Sequence, residues 1–235
     1  MLINSSRIYV FVSVLSKLEE VDEKLTTKVK EFSIFDHTGN KIRTEDREIA
    51  IIAQMEDPKV AILGNVASKA ECEELIRLSK DRLNRSKIGS KHEVSDIRTS
   101  SSTFLPEDDV TAGVEKRLAQ IMNVPVSHGE GLHILNYKPG QEYKAHYDYF
   151  KSKGNVTNNS RISTLVLYLN DVEEGGETYF PHMNLSISPH QGMAVYFEYF
   201  YSDPEVNERT LHGGAPVIVG EKWATTMWVR RKQYR

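Results

Sequence analysis

The 235-residue chain has a single cysteine, Cys72. No disulfide can close within it, which excludes the disulfide framework that staples many secreted domains and points to a reducing, cytoplasmic setting. Long apolar runs are also missing. Ile8–Leu15 is too short to cross a bilayer. Only Arg7 precedes it, Lys17, Glu19 and Glu20 follow it, and no small-residue cleavage site comes after, so no signal peptide is expected. Charge of one sign is scarce too. Thirty Lys and Arg face 33 Asp and Glu, for a formal net charge of -3. Without a basic patch a dedicated nucleic-acid surface is not expected. Neither nucleic acid nor a membrane is an expected partner.

What is present reads as one domain behind an extension. Residues 1–55 are charge-rich and helix-prone, with a turn at His37–Asn40, and form an N-terminal extension of unclear role. Residues 56–235 form the compact domain, opening on a strand at Val60–Leu63. Ser68-Lys69-Ala70-Glu71 is a capping-box pattern, and Cys72, Leu75, Ile76 and Leu83 follow on one helical face. A second helix carries Val114, Leu118, Ile121 and Met122, with Glu107, Asp108 and Asp109 suited to its N-terminus. From Gly131 the period changes. Leu132–Tyr137, Thr164–Leu169, Met193–Phe197 and Trp223–Val229 read as strands between turn signals. The class is therefore α+β, mainly β, a sandwich or jelly roll backed by N-terminal helices.

The chemistry centres on His146-Tyr147-Asp148. In an extended segment residues i and i+2 point to one side, so an imidazole and a carboxylate converge while Tyr147 turns away. His212 in Leu211-His212-Gly213-Gly214 is the candidate third ligand. Two histidines and one carboxylate make the facial triad of non-haem Fe(II) oxygenases, with three positions left open. With eight histidines in the chain a His-x-Asp triplet arises easily by chance. The ordered set carries the weight, because Lys222 follows His212 by ten residues and opens a further strand. A buried lysine needs an anion, and a dicarboxylate tail is suitable. Among the other histidines, His133 reads as a core or supporting residue, His182 and His190 as surface residues, and His128 as a loop residue.

Together, Leu135-Asn136-Tyr137, Tyr143–Asp148, Glu173–Thr178, Leu211–Gly214 and Gly220–Trp223 resemble the prolyl 4-hydroxylases, the collagen-modifying type and its small bacterial relatives. The resemblance runs from about Asp57 to the C-terminus. It implies a double-stranded β-helix core. It implies Fe(II) held by His146, Asp148 and His212, and 2-oxoglutarate whose distal carboxylate is held by Lys222 with the Tyr137 and Thr178 hydroxyls. It also implies O2 as co-substrate and ascorbate as reductant. Tyr143, Arg161 and Trp228 match positions that line the peptide groove, and Asp96–Ser101 resembles a segment near it. The polar stretch Lys151–Ser160 reads as a mobile loop beside the site. The implied reaction is 4-hydroxylation of peptidyl proline, with O2 consumed and succinate and CO2 released. The implied partner is a proline-containing peptide or protein, collagen-like or Pro-rich, and the bacterial-type members imply a homodimer.

Three other readings are weighed. A nucleobase dioxygenase of the same fold would favour arginine where Lys222 stands and a basic groove. A hydroxylase for another amino acid or small molecule shares the same metal residues. A non-enzymatic jelly-roll module would bind neither iron nor 2-oxoglutarate.

Overall fold

The computed structural model describes residues 32–88, 93–149 and 159–235. Most of the N-terminal extension and most of the Lys151–Ser160 stretch lie outside the described residues. A compact unit spans Ser33–Arg235. It is built on a nine-stranded antiparallel sheet whose order is Lys41–Arg43, Glu48–Glu56, Lys59–Gly64, Ala194–Glu198, Arg161–Tyr168, Lys222–Arg230, His133–Tyr137, Ser101–Phe104, Asn84–Arg85. A smaller sheet has the order Leu185–Ile187, Thr178–Phe180, His212–Gly214, Tyr143–His146. Two short ribbons complete the described strands.

Alternation along the central strands explains both the core and the site. In Lys222–Arg230 the odd-numbered Trp223, Met227 and Val229 join the larger apolar cluster. The even-numbered Lys222, Ala224, Thr226 and Trp228 line a cavity between the two sheets. His133–Tyr137 divides the same way, with Ile134 in the core and Leu135 and Tyr137 at the cavity. Both faces are buried, so these strands lack the alternation of apolar with charged residues that a strand with one solvated face shows.

Two helices cover the core face of the large sheet. Lys69–Ser79 starts with the full capping box, Ser68 accepting from the Glu71 backbone and Glu71 accepting from the Ser68 backbone. Asp108 caps Asp109–Ile121 by accepting from Val110 N and Thr111 N. Cys72, Leu75, Val114, Leu118, Ile121 and Met122 are all fully buried beneath them. Leu83, expected on the first helix, lies beyond its end and is half-buried.

The stretch from residue 41 to 56, read as part of a helix-prone extension, is instead two strands that add to the edge of the large sheet. Tertiary pairing overrides local propensity here. Ile42 and Ile49 point into the core, while Lys41 and Glu48 pair at 2.5 Å on the solvent side. The expected division after residue 55 therefore falls at the tight turn joining two paired strands. A buried Arg117 fastens the connection. Its Nε donates to Asp46, its Nη2 to Asp46 and Glu71, and its Nη1 to Val66 O.

Candidate active site

The cavity between the sheets holds a side-chain cluster drawn from both. His146 is the last residue of its strand and His212 the first of its own, and they face one another across the ladder. One ligand atom from each of His146, Asp148 and His212 lies within 4.8 Å of the others. Asp148 sits not on the strand, as the i, i+2 argument assumed, but in the bend that follows. The ladder ends at the His146–His212 pair, and Thr164 Oγ1 catches the carboxylate by donating to Asp148 Oδ2 at 2.7 Å. That hydroxyl proton is then committed, so the Tyr199 hydroxyl, 2.8 Å away, donates to Thr164 in turn. Tyr147 faces away from the cluster and lines an adjoining groove.

The backbone fixes the tautomer of both imidazoles. His146 Nδ1 is 2.9 Å from Lys144 O, and His212 Nδ1 is 2.9 Å from Thr210 O. A carbonyl only accepts, so each Nδ1 carries the proton and each Nε2 lone pair is free. Both Nε2 atoms face the Asp148 carboxylate, at 3.5 and 3.6 Å. Those spacings are too long for good hydrogen bonds and leave room for an ion among the three groups. Burial, with His146 adding to it, pushes His212 down to about 4 and keeps it neutral. Burial opposes ionisation of Asp148, but at the acid pH where that carboxyl would titrate His212 has taken up a proton, and with His146 beside it outweighs burial and holds the carboxyl well below the usual range. Two imidazoles and one carboxylate on one face suit a non-haem Fe(II). The Gly213 position is demanding: a Cβ there would lie 2.5 Å from the Tyr179 hydroxyl oxygen and 2.8 Å from Tyr143 O.

Lys222 is 4% exposed. Its Nζ donates to Gly176 O at 2.7 Å and stands 5.7 and 5.5 Å from the Tyr137 and Tyr168 ring centres. Among the described residues no carboxylate pairs with it. Burial pushes its ammonium down to about 8, with Glu177 pulling the other way. A buried ammonium without a counter-ion suits an anionic co-substrate. Tyr137 and Thr178 lie on the same cavity wall. Tyr137 is directly opposite Lys222 in the strand ladder.

The cavity opens into a groove of about 560 Å³, within the range of ligand pockets. Tyr143, Arg161 and Trp228 all line it. Tyr143 stacks on His146 at 3.5 Å. Arg161 lies 3.9 Å over the Trp228 ring, while its Nε and Nη2 donate to Glu130 at 2.7 Å each. Those two donors are committed to Glu130, and the Arg161 Nη1 lies 3.4 Å from Asp148 O.

Sequence reasoning passed over several residues. Arg98 lay within the Asp96–Ser101 segment already noted near the groove. It is buried and sits 4.8 Å over Tyr143. Tyr168 donates to Thr178 Oγ1 at 2.8 Å, and Thr164 holds Asp148. Both follow the alternation of their strand, opposite to Leu165 and Leu167, and that was the available signal. His133, read as a core or supporting residue, is buried, stacks on Phe104 and lies tilted 5.1 Å from the Trp228 ring. Burial, helped by Arg98 and Arg161, keeps it neutral. His128, read as a loop residue, closes a short turn and reaches Arg230 O.

Comparison with known proteins agrees with this geometry. The 2OG-Fe(II) oxygenase superfamily profile matches residues 132–230. Probable prolyl 4-hydroxylase 3 of Arabidopsis thaliana is 38% identical over 205 residues, covering 76% of this chain and 71% of the relative. Prolyl 4-hydroxylase 5 of the same plant is 35% identical over 226 residues, covering 84% and 76%. Among solved structures, the viral collagen prolyl hydroxylase vCPH of Paramecium bursaria Chlorella virus-1, as its 2-oxoglutarate complex, matches with TM-score 0.59 and 29% identity over 73% of this chain and 95% of that one. The chain belongs to the prolyl 4-hydroxylase family and is an Fe(II)- and 2-oxoglutarate-dependent dioxygenase.

Proposed function

We propose that the enzyme hydroxylates C4 of a prolyl residue held within a peptide. The supporting observation is the groove that runs into the His146–Asp148–His212 cluster. Arg98 Nε, His133 Nδ1 and Trp228 Nε1 on its walls are buried and have no hydrogen-bond partner among the described residues. Buried polar atoms are normally satisfied, and a bound peptide backbone supplies acceptors to the arginine and indole donors. The Trp228 face and the Tyr143 ring offer flat apolar surface to a proline ring.

In this reading His146, Asp148 and His212 hold Fe(II) through two Nε2 atoms and a carboxylate oxygen. Thr164 and the two backbone carbonyls orient those ligands. Lys222 takes the distal carboxylate of 2-oxoglutarate, helped by Tyr137 and Thr178, with Tyr168 aligning the Thr178 hydroxyl. Iron, 2-oxoglutarate and O2, when bound, supply the oxidation of an unactivated C–H bond, with succinate and CO2 released. The protein's own task is to place the ring carbon and exclude competing geometries. Ascorbate serves as reductant.

The catalytic domain is assigned to residues 56–235, completed by the edge strands before it. Collagen-like or Pro-rich segments suit the groove because a polyproline II strand is preformed. A homodimer and a cytoplasmic location are part of the same reading; among the described residues no helix is long and apolar enough to cross a membrane. The test is incubation with Fe(II), 2-oxoglutarate, ascorbate and Pro-rich peptides, with mass spectrometry for a one-oxygen gain on proline. Succinate release without that gain would overturn the substrate assignment.

A further inference from the structure

The groove beside the active site has a charge balance unlike that of the chain. The whole chain is formally -3. The described residues lining the groove include Arg85, Lys87, Arg98, Arg161 and Arg230 against only Glu130 and Asp148. The two carboxylates are already occupied. Glu130 is shared by Arg161 and Arg230, and Asp148 belongs to the histidine cluster. The opposite wall, Arg85, Lys87 and Arg98, has no carboxylate partner among the described residues.

Arg98 is the strongest signal. It is 5% exposed, and among the described residues its Nε has no partner and its side chain makes one hydrogen bond, a 3.4 Å contact from Nη1 to Lys87 O. A guanidinium removed from water without an anion is expensive, and a fold keeps one where a ligand supplies the missing charge. Arg85 flanks it, with its guanidinium nitrogens bridging Ser95 O and Ser100 O on either side of the Arg98 segment. Lys87, whose carbonyl Arg98 touches, is exposed on the same wall. These three side chains form a cationic corner with donors to spare.

We propose that this corner is a carboxylate subsite, and that the preferred substrates carry an acidic group close to the target proline. The inference rests on the peptidyl-proline reading and narrows it. Position follows from the stacking: the Arg98 guanidinium lies 4.8 Å from the Tyr143 ring centre, and that ring lies 3.5 Å from His146. Two or three extended residues, at about 3 Å each, span that distance. The carboxylate therefore comes from an Asp or Glu one to three residues from the proline, or from a peptide C-terminus at the same distance.

The test uses the full chain loaded with Fe(II) and 2-oxoglutarate without oxygen, and fluorescent Pro-containing peptides in equilibrium binding. Matched peptides carry Glu or its neutral isostere Gln at each position within three residues of proline, with free or amidated C-termini to separate the two sources of carboxylate. Hydrogen bonds to charged groups are stronger than neutral ones, so a Glu or free-carboxylate peptide is expected to bind at least about tenfold more tightly than its neutral isostere. The advantage should shrink as salt rises and narrow in Arg85→Gln and Lys87→Gln, which serve if Arg98→Gln fails to fold. Equal affinity for charged and neutral peptides overturns the subsite. A retained preference for the acidic peptide, with no oxygen gained by any proline once air is admitted, leaves the carboxylate subsite standing and overturns the hydroxylation reading instead.

Discussion

His146 and His212 form the last opposed pair of their ladder, and beyond it the chain bends to bring Asp148 between them. The antiparallel pairing, rather than any local motif, makes one site of residues so far apart in the chain. Because one ligand atom from each of these side chains converges on the cavity, His146→Ala, Asp148→Ala and His212→Ala should each abolish succinate production. Their unfolding midpoints should stay within about 5 °C of wild type, since 1 kcal/mol moves a domain of this size by roughly 2–4 °C. Thr164→Val removes the donor to Asp148 at constant shape. Iron affinity should then fall about 10- to 100-fold, read by competition with a chelator. Full turnover in any alanine variant at saturating iron removes that residue from the ligand set.

The groove predicts dependence on flanking backbone. Trp228 and Tyr143 offer ring faces, but orientation requires contacts beyond one amino acid. A Pro-rich peptide should be hydroxylated and free proline hardly at all. Trp228→Phe keeps a ring and removes the unpartnered Nε1 donor. Its KM for peptide should rise several-fold, roughly the worth of one hydrogen bond, with KM for 2-oxoglutarate unchanged. Equal rates on free proline and peptide would revive a small-molecule hydroxylase.

Arg117 predicts an acid sensitivity. It is buried, and Asp46 and Glu71 converge on it from the edge hairpin and the first helix. Its hydrogen bond draws the Asp46 carboxyl from 3.8 to about 2. Glu71 also shifts down: burial opposes the shift, and Arg117 and Ser68 overcome it. A depressed folded-state pKa gives stability that is present above the unfolded value and lost as pH falls towards the folded one. Denaturant unfolding should therefore show stability falling from pH 4 to pH 2, and Arg117→Leu should flatten that fall. At neutral pH the variant should lose about 2–4 kcal/mol, at the low end for a broken buried pair because Asp46 stays half in water. An unaltered pH profile in Arg117→Leu would show that the hairpin is held by its strand pairing alone.

Much of this architecture is legible in the amino-acid order where burial is two-sided. Strands such as Lys222–Arg230 and Ala194–Glu198 carry charge only at their ends because both faces are covered. The edge strands at 41–56 do not, since half their residues meet solvent and alternate with charge like a surface helix. The strands of the smaller sheet are three or four residues long, and His212–Gly214 is mostly glycine, so pattern reading finds no period there. Site residues with a fixed spacing, His146 with Asp148 and His212 with Lys222, stand out. Thr164, Tyr168, Arg98 and His133 acquire their roles only from neighbours across a ladder or a cavity, and their own sequence surroundings do not announce them.

Lys222 yields the sharpest solution test. Its ammonium is buried, donates to Gly176 O and is pushed down to about 8 by burial. A dicarboxylate entering the cavity binds the protonated form, so the free enzyme must hold that proton for tight binding. Below about pH 8 the lysine is already charged, and affinity for 2-oxoglutarate should be level. Above it, each binding event must also take up a proton, so the apparent Kd should rise towards tenfold per pH unit until the higher pKa of the bound state is reached. Lys222→Ala leaves the distal carboxylate unpaired in a dry site. Losing one partner of a buried pair costs about 3–5 kcal/mol, which lowers affinity by roughly two to three orders of magnitude. Lys222→Arg should restore only part of that, because a planar fork needs more room than an ammonium, and its binding should show no rise in Kd near pH 8. Iron affinity should be unchanged in both variants, since Lys222 is not among the ligands. The measurement is a 2-oxoglutarate titration at several pH values, followed by absorption of the Fe(II) complex. Overlaid curves for wild type and Lys222→Ala would mean that another group holds the carboxylate.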